Sequence, residues 1–305
     1  MSRHPTLPTG PLSASEEAEL LHRARNQDRH ALSLLLQAHQ SGVRATIRAL
    51  VGHPKDLEDI LQDALLDAFT RLEELPPGAR FSDWLQGLAI EKAGAFLALA
   101  RRFRPAAQLE LEAYCAKTET TADVAAIFGE DGFSFDVRSH VAFCFTAIGR
   151  SLPMEEQFAI VLVDVLGLSL DEAAAVQRLN TDSLTRYLQN ARTNLELLFE
   201  RLCGLSNEAN PCDLCRGLRA VAADERKGTD PDRLALNSGP PDERLSRRLR
   251  IVSQADLDHG PTRALHDFLF ELMSQNETNR ETPKDQDERL PSERSRWEDL
   301  QTYNN

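Results

Sequence analysis

Between Lys55 and Leu72, apolar residues return at steps of three and four: Leu57, Ile60, Leu61, Ala64, Leu65, Ala68 and Phe69. Glu58, Asp59, Gln62, Asp63 and Asp67 fill the intervening positions. A half-buried strand alternates with period two, so this spacing specifies an amphipathic helix with its apolar stripe on a core and its acids on one exposed flank. The same period runs through most of the chain. Ser13 or Ser15 ahead of Glu16 and Glu17 reads as a capped helix start, Ala31 to Ala38 continues it, and Val43, Ile47, Leu50 and Val51 form a further stripe that Gly52 to Pro54 breaks. Ser82 and Asp83 open a helix through Trp84, Leu85, Leu88, Ala89 and Ile90 that runs toward Arg101, Arg102 and Arg104. The expected fold class is all-α.

Farther along, Met154 to Leu166 reads as an apolar helix closed by Gly167, and Ser169 opens the next one, which runs to Arg178. Asn180 to Asp182 then turns the chain into a helix carrying Leu184, Tyr187, Leu188, Ala191, Leu195 and Leu198, with Thr181, Asp182 or Ser183 as its expected cap. Two helices separated by a short turn form a helix-turn-helix pattern, the second placed for a DNA major groove. The expected organisation is a helical module over 12–104, a linker over 105–135, a helix-turn-helix module over 136–203, and a small helical extension over 204–275. Residues 276–305, poor in apolar side chains, are expected to be disordered.

Charge narrows the function. The formal net charge of -13 argues against holding nucleic acid by bulk electrostatics, which needs clustered Lys and Arg on phosphates. No apolar run approaches the roughly 20 residues of a membrane span, and the N-terminus, with Arg3, His4 and early prolines, lacks the apolar core of a secretory signal. A cytoplasmic protein without membrane contact is expected. No His-Glu-x-x-His pattern, phosphate-cradling glycine loop or nucleophile elbow is present, so an enzyme is not expected.

The acidic helix followed by Phe81, Ser82, Asp83, Trp84 and Leu85, and then by Leu152-Pro153 and Leu168 to Ala174 ahead of Thr181 to Arg192, resembles regions two and four of bacterial RNA polymerase sigma factors of the extracytoplasmic-function group. The resemblance covers roughly residues 30 to 203. It implies a polymerase-binding role for Glu58, Asp59, Gln62 and Asp63, with Asp67 nearby. It also implies DNA contacts from Arg80, Trp84, Lys92, Arg101, Arg102 and Arg104 in the first module and from Thr185, Arg186, Gln189 and Arg192 in the second. Core RNA polymerase, promoter DNA and an anti-sigma or other regulatory protein are the implied partners. Two departures stand out: Ala89 to Gly94 replaces a basic, asparagine-containing segment, and Phe158 stands where the family carries arginine. They leave open a sigma-like regulator that binds polymerase or another transcription factor without initiating.

Cys212 and Cys215 form a Cys-x-x-Cys pair, and Cys203 lies close in sequence. No cofactor is expected, and these are read as ordinary or locally structural cysteines; the alternatives are a zinc ion on Cys203, Cys212 and Cys215 completed by His259 or His266, and a redox-responsive dithiol. In the extension, Leu265, Phe268, Leu269, Leu272 and Met273 share one helical face. That face either docks back on the two modules or completes a small domain of its own.

Overall fold

The computed structural model describes residues 12–99, 107, 109–111 and 118–279; Arg101, Arg102, Arg104, Cys115 and the end of the chain from 280 lie outside them. Among the described residues the fold is all-α, and the only β-type contacts are the isolated bridges Phe135 with Lys227 and Cys203 with Cys212.

Four helices build the first module: α1 (Ala14–Arg25), α2 (Arg29–Val51), α3 (Pro54–Thr70) and α4 (Phe81–Leu99). Their ends follow local chemistry. Ser13 caps α1 in a reciprocal pair with Glu16, and Asp28 accepts from the amides of His30 and Ala31 at the start of α2. Gly52, at φ 81°, ends α2, and Pro54 starts α3 where its missing N–H removes no bond. Leu57, Ile60, Leu61, Ala64 and Ala68 of α3 are buried against α2 and α4.

After α5 (Thr118–Gly129) comes α6 (Val137–Gly149), which is buried on nearly all sides because two cores meet on it. Its Ala142, Phe145 and Ile148 join a core shared with α1 to α4, and its Val137, Val141, Phe143 and Ala147 join a second. Next follow α7 (Met154–Ile160), a π-helical turn (Val161–Val165), α8 (Leu170–Gln177) and α9 (Thr181–Leu202). The helix-turn-helix is formed by α8 and α9. Ser169 and Glu172 make a capping box on α8, Arg178 turns the chain in the left-handed conformation at φ 55°, and Asn180, rather than one of the three residues after it, caps α9 by accepting from the Ser183 amide.

The extension consists of α10 (Leu214–Val221), α11 (Pro241–Gln254) and α12 (Arg263–Asn279). Leu245, Leu249 and Val252 of α11 complete the first core, whereas Leu214 and Leu218 of α10 and Leu265, Leu269, Phe270 and Met273 of α12 complete the second. The apolar face read from the sequence of α12 thus docks on α6 and α5. At roughly 1.5 to 3 kcal/mol for each fully buried large apolar side chain, these contacts bind the extension tightly to the body.

Candidate functional site

On α3, Glu58, Asp59, Gln62 and Asp63 are exposed on the face away from α2 and α4. The side chains of Asp59, Gln62 and Asp63 make no ion pair or hydrogen bond with any described residue. The other two acids are engaged. Arg44 Nη1 donates to Glu58 Oε1 at 2.5 Å, while Asp67 pairs with Lys92 at 2.9 Å and Arg71 at 3.1 Å. Those bonds, Lys92 first, hold the Asp67 carboxyl below its ordinary pKa. Phe69, expected in the core, is instead 42% exposed beside Leu66, which is 63% exposed. The buried stripe is already filled at Ala64 and Ala68, and the Phe69 ring lies 5.9 Å from the Arg29 guanidinium. An apolar pair therefore continues the acidic stripe toward the end of α3.

The cationic candidates are mostly neutralised within the chain. Arg80 Nη1 reaches Glu172 Oε1 at 2.6 Å, across the two modules. Lys92 is held by Asp67, and Arg192 is forked by Asp164, with Nε and Nη2 donating at 2.8 and 2.6 Å. That fork raises the Arg192 pKa and fixes its guanidinium against the π-helical turn. Arg178 in the turn faces Glu91 at 3.5 Å. On α9, Arg186 and Gln189 are exposed, Arg186 standing 5.4 Å from the Tyr187 ring. Thr185 spends its hydroxyl on the Thr181 carbonyl at 2.8 Å. Trp84 is half-buried, its ring 5.9 Å from that of buried Phe81.

The two sequence departures meet in space. A Cβ on Gly94 of α4 would stand 3.4 Å from the Phe158 ring of α7, and one on Gly87 equally close to the Val176 carbonyl of α8. At both positions α4 packs directly on the second module, at a distance where a Cβ would make ordinary van der Waals contact. The last carbonyls of α2 are satisfied from the second module as well: Gln157 Nε2 donates to Leu50 O at 2.8 Å and Arg150 Nη1 to Val51 O at 3.3 Å.

Cys144 on α6 joins Cys203, Cys212 and Cys215 in one interior, all four as free thiols. Gly204 N donates to Cys212 O at 2.7 Å, which fixes the loop pair through the backbone. Among the described residues no group of three His, Cys, Asp or Glu side chains is arranged to hold a metal ion. Burial pushes the Cys144 and Cys215 thiols up. The histidines suggested as completing ligands lie elsewhere: His266 is stacked on His140 and Phe143 of α6, and His259 sits beside Asp256. No helix among the described residues is long and apolar enough to cross a membrane.

Sequence reasoning missed Arg44 and Arg48 on α2, which meet Asp258 and Asp267 of the extension. Nothing local marks them, since the pairing residues lie more than 200 positions away.

No protein-family model matches the chain. It is 23% identical over 199 residues to the RNA polymerase sigma-H factor of Pseudomonas aeruginosa, a match covering 63% of this chain and 97% of that protein. It is 24% identical over 186 residues to the RNA polymerase sigma factor NccH of Alcaligenes xylosoxydans xylosoxydans, covering 61% and 96%. To the ECF RNA polymerase sigma-E factor of Escherichia coli K12 it is 28% identical over 160 residues, covering 52% and 80%. Among solved structures it is similar to CnrH in complex with the cytosolic domain of CnrY, at TM-score 0.40 and 24% identity over 61% of this chain and 97% of that one. The relatives are thus sigma factors, several of them of the extracytoplasmic-function group, at low identity and over a little under two thirds of this chain.

Proposed function

We propose that the chain is a sigma-like transcription initiation factor that binds core RNA polymerase through α3 and directs it to specific promoters through α9. The observation that carries this reading is the stripe of Asp59, Gln62, Asp63 and Leu66 on α3, left exposed in a chain whose helix-turn-helix also exposes Arg186 and Gln189. An acidic face with an apolar end suits a basic partner surface, the charges setting register and the apolar end adding burial. Arg and Gln donate to base edges or phosphates in a major groove. On this reading the protein performs no nucleotide chemistry; polymerase does, and DNA affinity comes mostly from the complex because the net charge is -13. Polymerase, promoter DNA and a regulatory protein are its partners.

A second reading, a sigma-like regulator that binds polymerase without initiating, is favoured by the neutralised Arg80, Lys92 and Arg192 and by the Gly94–Phe158 contact. Reconstituted transcription with purified core polymerase and genomic promoter fragments separates the two. Specific initiation supports the first; tight polymerase binding without initiation supports the second. A full-length chain that does not bind core polymerase at all would sink both.

A further inference from the structure

The C-terminal end of α2 is gripped by the extension. Arg48, only 2% exposed, donates from Nη2 to Asp267 Oδ1 at 2.8 Å and to Leu257 O at 3.2 Å, and its Nε stands 3.8 Å from Asp258. Arg44 donates from Nε to Asp258 Oδ2 at 2.9 Å while its other end holds Glu58. His53 Nε2 lies 2.7 Å from Glu271 Oε2. Between these pairs the Phe270 ring fills the space over Gly52, where a Cβ would come within 2.5 Å of it. The same end of α2 receives Gln157 and Arg150 from the second module. First module, second module and extension therefore converge on one corner, at the start of the helix that carries the acidic stripe.

Two cations at the module boundary are occupied in this arrangement. Arg80 and Arg178 are neutralised across the module boundary by Glu172 and Glu91. Separation of α4 and α8 removes Glu172 from Arg80 and Glu91 from Arg178, leaving Arg80 only Asp83 at 3.7 Å and both guanidiniums more open to a phosphate.

We infer that residues 256–271 form an intramolecular clamp, seated on Arg44, Arg48 and His53 of α2, that holds the two modules closed with Arg80 and Arg178 neutralised at their boundary. Opening of the clamp frees those cations for promoter DNA. The clamp is polar on its rim and apolar at Phe270, so removing the ionic contacts loosens it while the second core keeps α12 attached. Closure itself does not depend on the sigma-like reading; only the consequence for promoter binding does.

The test uses the full chain with donor and acceptor dyes at Thr70 and Arg201, introduced as unnatural residues so that the native thiols stay untouched. Both positions are exposed, one on each module. Energy transfer is compared in the native chain, in Asp258→Asn with Asp267→Asn, and in Arg48→Met. The last removes the buried charge along with its pairing, so it keeps the test decisive if the double variant leaves Arg48 stranded and fails to fold. Expected is a lower-transfer population in each helical variant, together with at least a threefold gain in promoter affinity of the polymerase-bound protein. Unchanged transfer in helical Arg48→Met overturns the clamp. Lower transfer with no gain in promoter affinity overturns the restraint. Failure of the native chain to bind polymerase strikes the sigma-like reading and leaves the transfer result standing.

Discussion

Helices α3 and α9 carry the two faces that promoter-directed polymerase would need, and the chain treats them differently. On α3, Asp59, Gln62 and Asp63 stand in solvent without ion pairs to any described residue, and Leu66 and Phe69 extend the face with exposed apolar surface. On α9, Arg192 is forked by Asp164 while Arg186 and Gln189 are presented; in the first module Lys92 is held by Asp67 and Arg80 by Glu172. The difference is electrostatic rather than topological. The acidic face is ready for a partner, and the cationic face is matched against the chain's own acids. Among the described residues no large basic patch forms, so on the proposed reading polymerase engagement precedes DNA reading.

The sharpest way to break the comparison is to remove what holds the cationic face in place. Phe270→Ala deletes a fully buried ring and is expected to destabilise the protein by roughly 3 to 5 kcal/mol in urea denaturation. A loss under about 1 kcal/mol would show that the extension is an appendage. Acid should act on the same corner. His140 and His266 are buried beside each other, and burial depresses both, His140 to about 4. For a base whose folded pKa lies below its unfolded 6.5, the unfolded chain binds the proton first. Stability is then unaffected above 6.5 and falls between 6.5 and about 4, by up to roughly 1.4 kcal/mol per pH unit through His140, with His266 adding in the same direction. His266→Leu should flatten part of that slope in denaturation midpoints measured from pH 7 to 4.5, and an unchanged slope would remove the pair from the acid response.

Smaller effects test the faces themselves. Asp59→Lys with Asp63→Lys should weaken binding to core polymerase by roughly tenfold to a hundredfold, about 1.4 to 2.8 kcal/mol, without moving the thermal midpoint. Equal loss of affinity and of folding would mean that the stripe is structural. Arg186→Ala should reduce discrimination between promoters by about 1 to 3 kcal/mol if it reads a base edge, and lower affinity and salt dependence uniformly if it touches phosphate. Arg192→Ala is the mildest: with its fork to Asp164 half-exposed, a change within about 1 kcal/mol in either stability or binding is expected. A larger promoter defect from Arg192 than from Arg186 would reverse the ranking of the two on α9.

What could be read from the sequence was local. The α3 stripe, the Ser169–Glu172 capping box and the helix-turn-helix follow from residues within one or two turns of each other, and the structure forms them. Asn180 displaced the expected cap of α9 because the helix already begins at Thr181, which puts the Ser183 amide within 2.8 Å of Asn180 Oδ1. The exposure of Phe69 depended on how wide a face α2 and α4 could cover, a tertiary quantity. The four cysteines were judged from spacing, which found Cys212 and Cys215 but could not bring Cys144 beside them. Least legible were the charge pairs. Each acid and base looked like an ordinary solvated residue until the fold placed Arg80 against Glu172 and Arg48 against Asp267.

The bond from Arg48 to Asp267 spans 219 residues. During synthesis, at about 5 to 20 residues per second, the helix bearing Arg48 waits roughly ten to forty seconds for its counter-charge to be made. For that interval the N-terminal module exists without its cover, with the Arg48 charge hydrated and the acidic stripe of α3 already displayed. The nascent chain thus passes through a form that the finished protein forgoes, and a pause in translation before residue 256 would lengthen its life.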